Sequence, residues 1–238
     1  MVLASLAGAT VKSVTGVGYP VLAVPLISLV LGVEDAVVLI ALPNLAANIY
    51  LCWESRDVRD QTRDLSRLVG FGIVGAVIGT IALVRLPEEP LLIVLALVIG
   101  VFVINFFRRP DLAIDPRTAT RWAPAIGTVT GLLQGAIGVS GPVVATWVHA
   151  YRLPARVFVH SVTFILGFTG AAQIVVLVAQ SQFTSDRLIG AAAAAAPVAL
   201  VTPLGVRVRD RLAGPTFERI VLAVLLVSAA PLLVDAIS

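Results

Sequence analysis

Lys12 is the only charged residue in the stretch 1–33, one helical turn before Thr15-Gly16-Val17-Gly18-Tyr19-Pro20. The chemistry open to this grouping is anion binding. An ammonium attracts anions, glycine takes backbone angles closed to other residues, and proline fits the first turn of a new helix. A helix that starts at Pro20 presents unpaired N–H groups and a partial positive charge to whatever lies before it. The second half of the chain carries a related break, Gly135-Ala136-Ile137-Gly138-Val139-Ser140-Gly141-Pro142, with Gln134 in the place of Lys12.

These breaks make Lys12, Thr15, Gly16, Gly18, Tyr19, Gln134, Gly138, Ser140 and Gly141 candidate binding residues. Asn44 and Asn48, four apart and so on one helix face, could line the same pathway. Thr163 joins them as a candidate from a later segment, although its plainer role, like that of Gln173, is to bond a neighbouring helix. Blander readings exist for the rest: glycines also serve close helix packing, and a lysine can snorkel to the nearer surface. A histidine can carry a coupling proton, but the position of His149 and His160 beside Arg152 and Arg156 reads as interfacial.

The elements that must hold these residues are membrane helices. Of 238 residues, 58% are hydrophobic and 13% charged, against roughly 45–50% and 25% in soluble domains. Uncharged runs cover 1–33 (Lys12 apart), 36–53, 68–84, 91–107, 122–151, 157–185, 188–206 and 220–234. A bilayer core of about 30 Å asks for roughly 20 apolar residues per crossing helix. The expected fold is therefore all-α and polytopic, with eight hydrophobic segments in two groups of four.

A gap-free shift of 122 residues brings Gly16 onto Gly138, Pro20 onto Pro142, Asp64 onto Asp186 and Arg85 onto Arg207. This suggests an internal duplication: a first membrane repeat over 1–110 and a second over 122–238, forming one transmembrane domain. Segments one and five are about ten residues longer than one crossing needs and break at their glycines and prolines. If both are re-entrant, fourteen arginines fall on one side and only Arg85 and Arg187 on the other. The positive-inside rule favours that arrangement over eight full crossings, which split the arginines almost evenly. Six full spans and two re-entrant hairpins in inverted halves is a plan used by secondary transporters, with the breaks meeting near the midplane.

At Gly16-Val17-Gly18-Tyr19-Pro20, followed by Pro25, and at Gly135 to Pro142, the chain resembles the sulfite exporter TauE/SafE family of membrane permeases. The resemblance extends over the whole chain in length, segment count and duplication. It implies transport of sulfite, thiosulfate, sulfonates or other organic anions across the cell inner membrane. Tyr19 departs from it, standing where relatives often carry a further glycine.

Other classes fit poorly. All but one of the 17 basic residues are arginines in the gaps between apolar runs, a topology signal and not a nucleic-acid footprint. One cysteine and two histidines offer no metal cluster. Gly-x-x-x-x-Gly-Lys, Gly-x-Ser-x-Gly and His-Glu-x-x-His sequences are absent. No enzyme activity, cofactor or metal is expected, and the expected partners are a small anion, the lipid bilayer and a second copy of the chain in a homodimer. A passive anion channel, or a membrane enzyme or assembly factor, are the rival readings.

Overall fold

The computed structural model describes residues 2–108 and 113–212. The eighth hydrophobic segment, 220–234, lies outside them, as does Arg219. Within them the chain is helical: α1 Val2–Thr15, α2 Tyr19–Leu31, α3 Val33–Glu54, a 3-10 turn Arg56–Gln61, α4 Leu65–Arg85, α5 Glu88–Arg108, α6 Pro116–Ile137, α7 Gly141–His149, α8 Ala155–Ala179 and α9 Ser185–Leu212. Among the described residues, α3, α4, α8 and the Ser185–Arg207 part of α9 are long and apolar enough to cross a membrane. In a bilayer only backbone bonded within itself is tolerated on the lipid side, which is why these runs form unbroken helices. Every uncharged segment that falls in the described residues is helical, and the two long ones are each broken in two, as their glycines and prolines lead one to expect.

Each broken segment is a hairpin. With 14 and 13 residues, α1 and α2 are about 21 and 20 Å long at the α-helical rise, short of a bilayer core. The chain turns back at Gly16–Gly18, so that Tyr19 lies beside Gly8: a Cβ added to Gly8 would stand 2.7 Å from the Tyr19 carbonyl oxygen. In the second hairpin the Ile114 amide donates to the Ala150 carbonyl across 3.1 Å, so the α6–α7 segment enters and leaves at one end of the bundle.

Polar contacts sort the connections between two ends. At one end the Val33 amide donates to Glu88 Oε1 at 2.9 Å. Arg187 donates there to Asp35 Oδ1 at 2.7 Å and Glu34 Oε1 at 2.8 Å. At the other end Arg156 donates to Glu54 Oε1 at 2.9 Å and Asp57 Oδ1 at 2.8 Å. Thr120 donates to Asp64 there at 3.0 Å, and Arg67 to the Thr120 carbonyl at 3.2 Å. The Arg156 guanidinium holds the Asp57 carboxyl below its ordinary pKa. The arginines of the Arg56–Arg67 and Arg117–Arg156 connections therefore share an end, with Arg85 and Arg187 at the opposite one.

Packing joins the halves crosswise: α6 lies on α4 and α1 on α9, while α8 lies on α4 and α3 on α9. The tightest seam runs between Gly72, Gly75 and Gly79 of α4 and Gly127, Gly131 and Gly135 of α6. A Cβ at Gly127 would stand 2.6 Å from the Leu68 carbonyl oxygen, and Gly75, Gly79, Gly131 and Gly135 are tighter still. Lipid tails are as apolar as leucine, so close approach of small residues replaces the hydrophobic effect as the force joining these helices.

Candidate functional site

At the first turn α1 ends at Thr15, and Gly16 and Gly18 have φ of 78° and 112°. Those are left-handed angles that a side chain disfavours. Helix α2 begins at Tyr19 with Pro20 in its first turn. At the second turn Gly138, φ 68°, caps α6 by donating its amide to the Gln134 carbonyl at 3.0 Å, and α7 begins at Gly141 with Pro142.

The hairpins pass each other in depth. A Cβ at Gly16 would rest 3.4 Å from Val159, four residues into α8 from one end of the bundle. A Cβ at Gly138 would rest 3.3 Å from Val37, four residues into α3 from the other end. Val37 and Val159 are separated by the same 122 positions as Gly16 and Gly138. Between these levels a Cβ at Gly141 would stand 3.5 Å from Cβ of Val17, so the two helix starts meet there. The expectation of two breaks at a common depth is thus refined: the turns overshoot, and it is the starts of α2 and α7 that come together.

Lys12 is fully buried, and Nζ donates to Asn44 Oδ1 at 3.0 Å and to Asn48 Oδ1 at 2.7 Å. Helix α3 presents both asparagines because they are four apart, on one face. Asn48 Nδ2 is buried without a hydrogen-bond partner. A buried donor left unpaired costs about 1–3 kcal/mol, so a group able to accept from it would be favoured there.

The matching place in the second hairpin is closed. Gln134 Nε2 donates to Gln173 Oε1 at 3.0 Å, Gln173 Nε2 donates to the Gln134 carbonyl at 2.8 Å, and Ser140 Oγ donates to Gln134 Oε1 at 2.7 Å. All three side chains are buried. Gln173, read from the sequence as a helix-to-helix bond, does bond across helices, and in doing so it occupies Gln134.

The other candidates fall at different places. Tyr19 is fully buried, but its ring runs back along α1 over Gly8 and its hydroxyl meets Ser5 Oγ at 3.2 Å, about two turns from Lys12. It fills the space left by Gly8 and does not face the asparagines. Thr163 donates to the Val159 carbonyl of its own helix at 2.8 Å. The side chain of Thr15 lies outside the described residues. Gly16, Gly18, Gly138 and Gly141 contribute backbone shape.

Between α3 and α8 lies a cavity of about 470 Å³. Asn48 and Thr163 line it, Phe164 and Phe168 form an apolar wall, and Arg56 and Arg59 border it at the arginine-rich end. His160 also lines it, with Nδ1 3.2 Å from Ser55 Oγ. This connection between the surface arginines and Asn48 was not visible in the sequence, where α3 and α8 lie about a hundred residues apart. A shared run of small and aromatic residues on α8 carries no signal of its partner. Among the described residues no group of three or more histidines, cysteines and carboxylates could hold a metal ion. The grouping can attract, desolvate and hydrogen-bond an anion.

A family model described as sulfite exporter TauE/SafE matches residues 1–232. No curated protein and no solved structure matches the chain.

Proposed function

We propose that this chain, which belongs to the sulfite exporter TauE/SafE family of membrane transporters, is a secondary permease for a small anion held beside Lys12. The family is one of transporters and not of enzymes, and the apolar helices make the protein a multi-pass membrane protein. Sulfite or another sulfur-containing or organic anion is the substrate class, and the cell inner membrane is the location.

The observation that carries this reading is the buried amino group of Lys12 beside the unpartnered Nδ2 of Asn48. An intramembrane charge is costly and marks substrate or ion pathways. Here an ionisable donor and a neutral donor stand together, and among the described residues no carboxylate is bonded to either. The N–H groups at the start of α2, after Gly18, add a further set of donors.

Alternating access follows from an inverted repeat, with one set of helices rocking against the other around the site. Support for the repeat comes from the crosswise packing, where α1 takes to α9 the relation that α6 has to α4. The arginine-rich end is placed in the cytoplasm by the positive-inside rule. In protein lacking Cys52, cysteines placed at residues 31 and 90, both exposed, are expected to react with impermeant reagent from outside. Cysteines at 115 and 152 are expected to react only from inside. Labelling of 31 from inside would overturn the re-entrant first hairpin.

Transport is tested by counterflow of labelled sulfite into proteoliposomes preloaded in turn with sulfite, thiosulfate, a sulfonate, sulfate or a carboxylate. Saturable exchange with at least one sulfur anion is expected. Flux that never saturates and shows no counterflow would indicate a channel, and no exchange at all by folded protein would overturn the permease reading.

A further inference from the structure

Among the described residues Lys12 has no counter-charge. Its Nζ is bonded to two amide oxygens, Asn44 Oδ1 and Asn48 Oδ1, and to no carboxylate. Among the described side chains, the charged groups of the helices packed against α1 are Glu34 and Asp35, paired with Arg187; Glu54, paired with Arg156; and Asp186 and Arg207, the side chains of Arg209, Asp210 and Arg211 of α9 lying outside those described. The other titratable groups on these helices and on α8 are Tyr19, bonded to Ser5; Tyr50; Cys52; and His160, bonded to Ser55. None of these is bonded to Lys12.

Two N–H donors to two amide oxygens is the number that a neutral amine can supply. The third N–H exists only in the ammonium form, and in a buried site that form is favoured when an anion is present to accept from it. We propose that the transported anion is the missing counter-charge of Lys12, so that anion and proton occupy the site together. The amine takes one proton as the anion arrives and returns it as the anion leaves, and the loaded site is neutral for a monovalent anion. The protein is then a proton–anion cotransporter with Lys12 as the coupling group. This rests on the permease reading above and adds the coupling ion to it.

The test uses the full chain in proteoliposomes with a pH-reporting dye inside, and the anion found to exchange in the counterflow series. Thiosulfate and sulfonates do not titrate near neutrality, so a proton that moves with them is bound by the protein. For sulfite, the comparison with Lys12→Arg separates the protein's proton from the substrate's own. Wild-type protein is expected to accumulate the anion when the interior is alkaline and the exterior acidic, and to move about one proton per anion carried. Lys12→Arg stays cationic at all working pH. It is expected to carry anion along the anion gradient and membrane potential alone, with the proton ratio falling to zero.

Anion flux through wild-type protein that ignores the pH gradient and moves no protons would overturn the proposal, whatever the variants do. So would a wild-type proton ratio in Lys12→Arg. Should the larger guanidinium not be accommodated, Asn48→Asp supplies a fixed carboxylate beside Lys12. Loss of anion flux in folded Asn48→Asp protein is expected, and full flux in Asn48→Asp would contradict the proposal. A wild-type protein that exchanges no anion at all fails the permease reading first, an outcome distinct from exchange without protons.

Discussion

The two hairpin turns share a backbone plan and differ in what the plan holds. Before the first turn, Lys12 reaches across to Asn44 and Asn48 and leaves Asn48 Nδ2 with nothing to bond. Before the second, Gln134, Gln173 and Ser140 satisfy one another in a closed set. A buried polar group that is fully bonded rigidifies a structure, whereas one with an unmet donor favours a guest. On the proposed function the first turn is the binding side of the pair and the second its structural counterpart.

The comparison breaks first at Lys12. Replacing it by methionine removes the only described charge at depth and strands two asparagine oxygens. Hydrogen bonds to charged groups are worth about 1.5–3 kcal/mol each, so exchange in Lys12→Met is expected to fall by roughly 10–100-fold or more, measured as counterflow at equal protein content.

Gln134→Ala tests the other side. It leaves Gln173 and Ser140 without their partners, and a stability loss of about 1–3 kcal/mol is expected in thermal unfolding. The anion concentration for half-maximal exchange should change by less than about twofold. A large rise in that concentration with unchanged stability would mean that the second turn, too, binds the anion.

Gly18→Ala sharpens the geometry. At φ 112° a Cβ is strained, and a cost of about 1–2 kcal/mol is expected, seen as lowered thermal stability together with weakened exchange. The smallest effect is expected at the cavity mouth. Arg56→Ala should slow anion capture by about two- to threefold at low salt and leave little difference at high salt, because exposed charge steers ligands and is screened.

Much of this arrangement was legible because a membrane leaves the sequence few options. The uncharged runs within the described residues became helices since the bilayer allows no other backbone on its lipid face, and the Gly16–Pro20 and Gly138–Pro142 breaks were visible because glycine and proline end helices for reasons internal to those residues. The arginine distribution separated the two ends before any contact was known, and the bonds of Arg156 and Arg187 fall on those ends. What stayed hidden depends on contacts between distant residues. Nothing local pairs Lys12 with residues 32 and 36 positions away, or tells Gln134 that Gln173 will fill it. The direction of Tyr19 is set by the missing side chain of Gly8, a vacancy that becomes visible only once α1 and α2 lie side by side. The α4–α6 glycine seam was similarly unmarked, because small residues are common in every membrane helix and their use depends on the partner.

The most direct test sets the two turns against each other: saturable counterflow of labelled sulfite, or of the sulfur anion found to exchange best, in Lys12→Met and Gln134→Met proteoliposomes prepared side by side, with folded protein quantified in each. Loss of exchange in Lys12→Met, with an unchanged half-saturating concentration in the folded fraction of Gln134→Met, is the expected result. Exchange that survives in Lys12→Met, or that fails only in Gln134→Met, would contradict the assignment of the anion site to the first turn.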